Sequence, residues 1–166
     1  MIFAVDVNYP DDKAFVAGIL FKDWQDPKPD RQITVEIDSV AEYEPGQFYK
    51  RELPCILEIL AKIESLPEII VIDGYVYLGA AQKPGLGKYL DDAIDGKSII
   101  IGVDKNRFED TPAEAKIFRG GSQRPLYVTA IGISQAEAKS SIESMYGKYR
   151  IPDLLKLVDK MSKRNE

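Results

Sequence analysis

Histidine is absent from all 166 residues, and cysteine occurs once. Without imidazole there can be no His-based triad, no His-ligated zinc and no imidazole general base. Hydrolytic chemistry in this chain must use carboxylates, hydroxyls, lysine or a metal held by oxygens. The lone Cys55 excludes an internal disulfide framework, and its apolar neighbours mark it as a small core side chain in a reducing cell interior. No run of eighteen apolar residues occurs, and Met1 leads straight into the strand-like IFAVDV without a basic region. The expectation is a cytoplasmic protein without a membrane span. Positive charge is also short, with 22 Lys and Arg against 27 Asp and Glu and a net charge of −5. Broad nonspecific affinity for nucleic acid is therefore disfavoured, because such binding draws on Lys and Arg neutralising phosphates. Arg119, Arg124, Lys148 and Arg150 form either a local basic groove or scattered surface charge.

What is present is an ordinary soluble composition, 45% apolar and 30% charged, which predicts a single domain over residues 1–166. There is no internal repeat, low-complexity tract or linker. Residues 1–9 alternate as a strand interrupted by Asp6. A turn at Tyr9 to Asp12 leads into a second strand over 13–24, and a proline-broken loop at 26–30 into a third over 32–40, all three antiparallel. Residues 68–73 are a solid β-branched run, the pattern of a strand covered on both faces. Two continuations stay open there. Asp73-Gly74 is either a tight hairpin turn with Tyr75 to Leu78 returning, or the carboxyl end of a parallel strand whose Asp73 projects into a ligand crevice. A short helix over 84–94 and a buried strand over 97–105, with Lys105 at its exit, complete a parallel crossover. Phe118 to Gly121 belongs to a hairpin into the strand at 125–132. Ser134 caps a helix with Glu137 three residues later, and Pro152 opens a last amphipathic helix through Leu154, Leu155, Leu157, Val158 and Met161, beyond which the final charged residues fray.

The stretch EYEPGQFYKRELPC, Glu42 to Cys55, joins a Pro45-Gly46 turn to a helical apolar stripe at Phe48, Cys55, Ile56, Ile59, Leu60 and Ile63. Glu52 falls on that stripe. An acid inside an apolar face calls for a cation or hydrogen-bond donors opposite it, unless it is simply a first-turn glutamate favoured by the helix dipole, with Pro54 near the helix start.

Three antiparallel strands followed by alternating helices and parallel strands fit several α/β folds. The motifs narrow the choice. AVDVNY with Asp6, YEPGQFYKRELP with Glu52, VIDGYV with Asp73, IGVDK with Lys105, PLYVT and RIPDLLKLVD resemble the successive blocks of the endonuclease V family, in order and spacing, from about residue 3 to about residue 161. The resemblance implies a ribonuclease H-like α/β fold, a mixed central sheet flanked by helices. It also implies a Mg²⁺- or Mn²⁺-dependent nuclease that cleaves a phosphodiester near deaminated purine, hypoxanthine in particular, in DNA or RNA. Carried over residue by residue, Asp6, Glu52 and Asp73 match the family's metal-binding carboxylates and Lys105 its active-site lysine. Tyr43 stands where the family has the Tyr of its strand-separating wedge, and with Pro45, Gly46, Gly74 and Tyr75 it is assigned to the substrate. Two blocks differ. Tyr75 to Leu78 replaces a loop rich in glycine, histidine and proline, and Ala130-Ile131-Gly132 replaces a Gly-His pair, with no evident acid in that histidine's stead.

The residues support such a site on their own terms. Phosphodiester hydrolysis needs an activated water and neutralised charge on the leaving oxygen, and hard cations held by carboxylates supply both. Asp6 and Asp73 on adjacent strands can bridge them, Glu52 can complete the shell, and Lys105 can stabilise the phosphate. The alternative is a nuclease-like module that binds nucleic acid with impaired catalysis. A monomer is expected.

Overall fold

A computed structural model of the chain describes residues 1–47 and 49–163. Phe48, expected on the helical stripe, and residues 164–166, expected to fray, lie outside the described residues. In chain order the elements are β1 (Ile2–Asn8), β2 (Ala14–Phe21), β3 (Arg31–Ile37), α1 (Tyr49–Leu60), β4 (Ile69–Asp73), β5 (Tyr77–Leu78), β6 (Lys83–Pro84), α2 (Leu86–Ala93), β7 (Ile99–Asp104), β8 (Lys116–Ile117), β9 (Leu126–Ile131), α3 (Gln135–Ser144) and α4 (Asp153–Ser162). A seven-stranded sheet runs β3-β2-β1-β4-β7-β9-β8, and β5 and β6 form a separate two-stranded ribbon. The first three strands are antiparallel, as their alternation predicts, and β1, β4 and β7 are parallel at the centre. The expected hairpin at residues 118–121 exists, with its first strand earlier, at Lys116–Ile117, pairing with β9.

The open question at Asp73-Gly74 resolves in favour of the parallel strand. β4 ends at Asp73, and the chain leaves across β7 instead of turning back. Gly102 permits this crossing, because a Cβ there would lie 2.5 Å from the Gly74 carbonyl oxygen and 2.9 Å from Thr129 Oγ1. In the space that glycine leaves, Val76 N donates to Thr129 Oγ1 at 2.8 Å. A buried hydrogen bond therefore fixes the segment that follows the strand.

Period-2 alternation sorts the central strands between two cores. Phe3, Val5, Ile70 and Ile72 face a cluster with Cys55, Ile56 and Ile59 of α1 and Leu86 and Leu90 of α2. Ile2, Ala4, Val71, Ile101 and Val103 face the opposite cluster, with Ala138 and Ile142 of α3 and Leu154, Val158 and Met161 of α4. Burying each of these large aliphatic side chains is worth about 2 kcal/mol, so the two helix layers are fixed to opposite faces. The α1 stripe ends sooner than its spacing predicts. Leu60 closes the helix, Ile63 lies beyond it in tight turns, and Pro54 sits inside the helix instead of at its first turn. Ser134 caps α3 as expected, its hydroxyl accepting from Glu137 N at 3.1 Å. Among the described residues no helix is long and apolar enough to cross a membrane.

Candidate active site

Strand register builds the site. β1 pairs with β4 from Ile2↔Ile69 to Val5↔Ile72, and one further step sets Asp6 opposite Asp73. β4 pairs with β7 at Asp73↔Val103, so Lys105 emerges just past the strand end. By alternation Asp6 follows Ala4, Asp73 follows Val71 and Lys105 follows Val103, which turns all three toward α4. They line one small cavity of about 30 Å³ at the carboxyl ends of the strands, together with Asp159 of α4 and apolar walls from Leu126, Ile151 and Leu155. That volume is enough to admit water or a small ion. Lys105 Nζ lies 3.9 Å from Asp159 Oδ1, and Lys163 Nζ 3.2 Å from the same oxygen.

The carboxylates crowd one another. Burial, then the charge of Asp73, then a hydrogen bond to Asp159 push the Asp6 carboxyl up to about 9. Only 8% of Asp6 is exposed, so water screens little of this. Asp6 therefore holds its proton at neutral pH and donates it to Asp159. Burial works against the Asp159 carboxylate, but the bond from Asp6 and the nearby Lys163 and Lys105 outweigh it and keep Asp159 below its ordinary range. Asp73 reaches solvent at the strand end, yet the protein around its base raises it, with Lys105 pulling the other way. An all-oxygen set with surplus negative charge suits a hard divalent cation in its chemistry. As the side chains stand, no three His, Cys, Asp or Glu among the described residues are grouped closely enough to hold one ion.

Glu52 approaches from the other face. Its helix packs with the α1–α2 core, and it does not line the Asp6–Asp159 cavity. Tyr9 Oη donates to Glu52 Oε1 at 3.4 Å, and the Arg51 guanidinium stacks 3.8 Å from the centre of the Tyr9 ring. Burial and then the Asp73 charge raise Glu52 to about 8, with Asp104 adding to the effect. Burial likewise lifts Asp104 to about 6, with Asp73 also raising it. Asp73 thus stands between two acidic groups, Asp6 with Asp159 on one face and Glu52 with Asp104 on the other.

Asp159 is the residue that sequence reasoning missed. The signal was available: Leu155, Val158, Asp159 and Ser162 share a helix stripe at spacings of three and four, so Asp159 is an acid on an apolar face, as Glu52 is. α4 thus adds an acid to the cavity from a part of the chain separate from Ala130-Ile131-Gly132.

The residues expected at the substrate separate into two groups. Tyr43 is 59% exposed in the loop before α1. Gly46, at φ +77°, makes the turn in which Gln47 N bonds the Glu44 carbonyl, a position that favours glycine. Gly46 also borders a cavity of about 270 Å³ with Gln47, Tyr49, Leu78, Leu86 and Tyr89, where the Tyr49 and Tyr89 rings stack 3.8 Å apart. Tyr75 lies elsewhere. It is buried, its hydroxyl donates to the Asn106 carbonyl at 2.7 Å and accepts from Phe108 N at 3.0 Å, so its ring braces the 106–108 loop and presents no face to a base. Gly74 is buried behind Asp73, its N–H bonded to the Val103 carbonyl.

Arg119 does not belong to a basic groove. Buried at 7% exposure, its guanidinium donates to the carbonyls of Glu143, Met145, Gly147, Tyr149 and Arg150. It therefore organises the connection between α3 and α4.

The Endonuclease V family model matches residues 1–132. Endonuclease V of Nostoc punctiforme is 29% identical over 140 residues, 72% of this chain and 62% of that protein, and endonuclease V of Azotobacter vinelandii is 27% identical over 150 residues, 78% and 66% respectively. The chain thus spans a little under two thirds of these curated relatives. Among solved structures, endonuclease V of Streptomyces avermitilis superposes with a TM-score of 0.73 at 26% identity, covering 98% of this chain and 79% of that one. Endonuclease V of Ciona intestinalis, in complex with a 24mer DNA containing an inosine followed by a ribo-adenosine, superposes at 0.81 with 17% identity, covering 98% and 84%. The fold is the ribonuclease H-like arrangement of these proteins.

Proposed function

The chain belongs to the endonuclease V family, and we propose that it is a metal-dependent endonuclease hydrolysing phosphodiester bonds near deaminated purines, acting as one domain over residues 1–166, as a monomer, in the cytoplasm. The observation that carries this reading is the convergence of Asp6, Asp73, Asp159 and Lys105 on one cavity at the ends of three parallel strands.

Asp6, Asp73 and Asp159 would hold Mg²⁺ or Mn²⁺, with Glu52 reaching Asp73 from the opposite face. Such a cation, when bound, lowers the pKa of water and offsets charge on the leaving oxygen. The chain's own groups supply the rest. Lys105 brings a fixed positive charge to the phosphate, where it counters charge developing in the transition state. The apolar walls from Leu126, Ile151 and Leu155 exclude water around the carboxylates and strengthen each electrostatic interaction there. The exposed Tyr43, the Pro45-Gly46 turn and the adjoining 270 Å³ cavity with its stacked tyrosines offer a flat aromatic seat of the kind that takes a base out of its stack. Inosine-containing DNA bound by the Ciona relative supports nucleic acid as the partner.

The test is incubation of the purified protein with labelled inosine oligonucleotides, DNA and RNA, in Mg²⁺ or Mn²⁺. Asp73→Asn is the control. Wild-type cutting at the inosine, lost in the variant, is expected. Binding without cutting above the control would instead identify a nuclease-like binding module.

A further inference from the structure

Beside the carboxylate cavity, on the far side of Lys105, lies a second recess of about 230 Å³, bordered by Lys105, Asn106, Arg107, Gln123, Arg124 and Arg150 among others, with no acid in its lining. In a chain of net charge −5, this recess gathers Arg107, Arg124 and Arg150 beside Lys105, whose ammonium already faces Asp159, and three guanidinium groups around an acid-free lining favour an anion there. Neither Arg107 nor Arg124 has an ion pair or side-chain hydrogen bond among the described residues. Arg150 builds the recess. Its Nε donates to the Arg124 carbonyl at 3.0 Å, and its Nη2 to the carbonyls of Lys105 at 2.6 Å and Pro125 at 2.8 Å. One guanidinium thus fastens the backbone behind the candidate catalytic lysine to the loop that carries Arg124. Burial, and then the nearby Arg124 charge, lower the Arg150 pKa.

We propose that this recess seats a backbone phosphate of the bound nucleic-acid strand, outside the phosphodiester that is cut, with Arg107 and Arg124 as its ligands and Arg150 as the positioning residue that ties it to Lys105. The inference rests on the nuclease reading for which strand is bound and where it is cut. Arginine suits the role, since its planar fork matches phosphate oxygens and keeps its charge at all working pH. Such a seat sets the register of the strand without reading its sequence.

The test is anisotropy titration of a labelled inosine oligonucleotide in EDTA, where no cutting occurs, across a salt series. It compares the wild type, Arg107→Ala/Arg124→Ala, the conservative double Lys variant, and Lys62→Ala, an exposed cation past the far end of α1. The double Ala variant should bind about tenfold more weakly, with the slope of log K against log salt reduced by about 1 to 2. The Lys pair should keep the slope, and Lys62→Ala should match the wild type. In Mg²⁺ the double Ala variant should raise KM more than it lowers kcat. A double Ala variant that keeps wild-type affinity and slope overturns the proposal while leaving wild-type cutting untouched. A wild type that fails to cut at inosine, yet loses salt-dependent binding with these arginines, overturns the nuclease reading and keeps the phosphate seat.

Discussion

Replacing Asp6 by asparagine should abolish cutting and yet stabilise the metal-free protein at pH 8. Folding buries Asp6 against Asp73 and Asp159 and raises its carboxyl from an ordinary 3.8 to about 9. The folded protein therefore keeps a proton that the unfolded chain has lost, and stability falls as pH rises from about 4 to about 9. At pH 7.5 the full shift would cost roughly 5 kcal/mol, taking 1.4 kcal/mol for each of about 3.7 pH units. Asp159 recovers part of this, since the bond from Asp6 holds it below its usual range, so the net penalty is only a fraction of that figure. Asparagine is neutral, nearly isosteric, and its amide can donate to Asp159 as the protonated acid does. Thermal melts in EDTA at pH 5 and pH 8 should show the variant about 5 °C above the wild type at pH 8 and much closer to it at pH 5. A variant that melts lower than wild type at pH 8, or a difference that ignores pH, would refute the account of Asp6 as a strained carboxyl.

How far the site could be read from letters alone depends on the kind of information each residue needs. Asp6 and Asp73 were legible because each breaks or ends an apolar strand run, and parallel strands expose their carboxyl ends to ligands. The face each side chain takes was not. Period-2 counting gives relative faces within a strand, but which helix covers which face is decided by packing of the two cores, so Glu52 was grouped with acids that in fact look toward α4. Asp159 carries the same pattern as Glu52, an acid at helical spacing from apolar residues. Arg119 left no trace in the sequence, because its partners are carbonyl oxygens, which every residue has. At Gly74 two physical rules conflicted. A local turn preference favoured a hairpin, and the Gly102 crossing, visible only once β4 and β7 lie side by side, decided against it.

Three further outcomes follow from the same contacts. Lys105→Met should cut kcat by about 10² to 10³ while changing the melting temperature little, as expected for a half-exposed cation that acts on the phosphate; single-turnover kinetics check it. Arg119→Met should lower stability by about 3 kcal/mol in urea titration, because five carbonyls around a buried guanidinium lose their donor, and Arg119→Lys, with a single ammonium, should recover only part. Gly102→Ala separates architecture from chemistry most sharply. The added methyl meets the Gly74 carbonyl oxygen at 2.5 Å and Thr129 Oγ1 at 2.9 Å, backbone on one side and a hydroxyl already accepting from Val76 N on the other, so nothing flexible can yield. Relief requires moving the segment that leaves Asp73, at a cost of about 1 to 3 kcal/mol for overpacking, and the Asp73 carboxylate moves with it. Cutting should therefore fall by tenfold or more even at temperatures where the variant is fully folded, with circular dichroism confirming the fold, whereas full activity in a folded Gly102→Ala protein would show that Asp73 is held by something other than the crossing behind it.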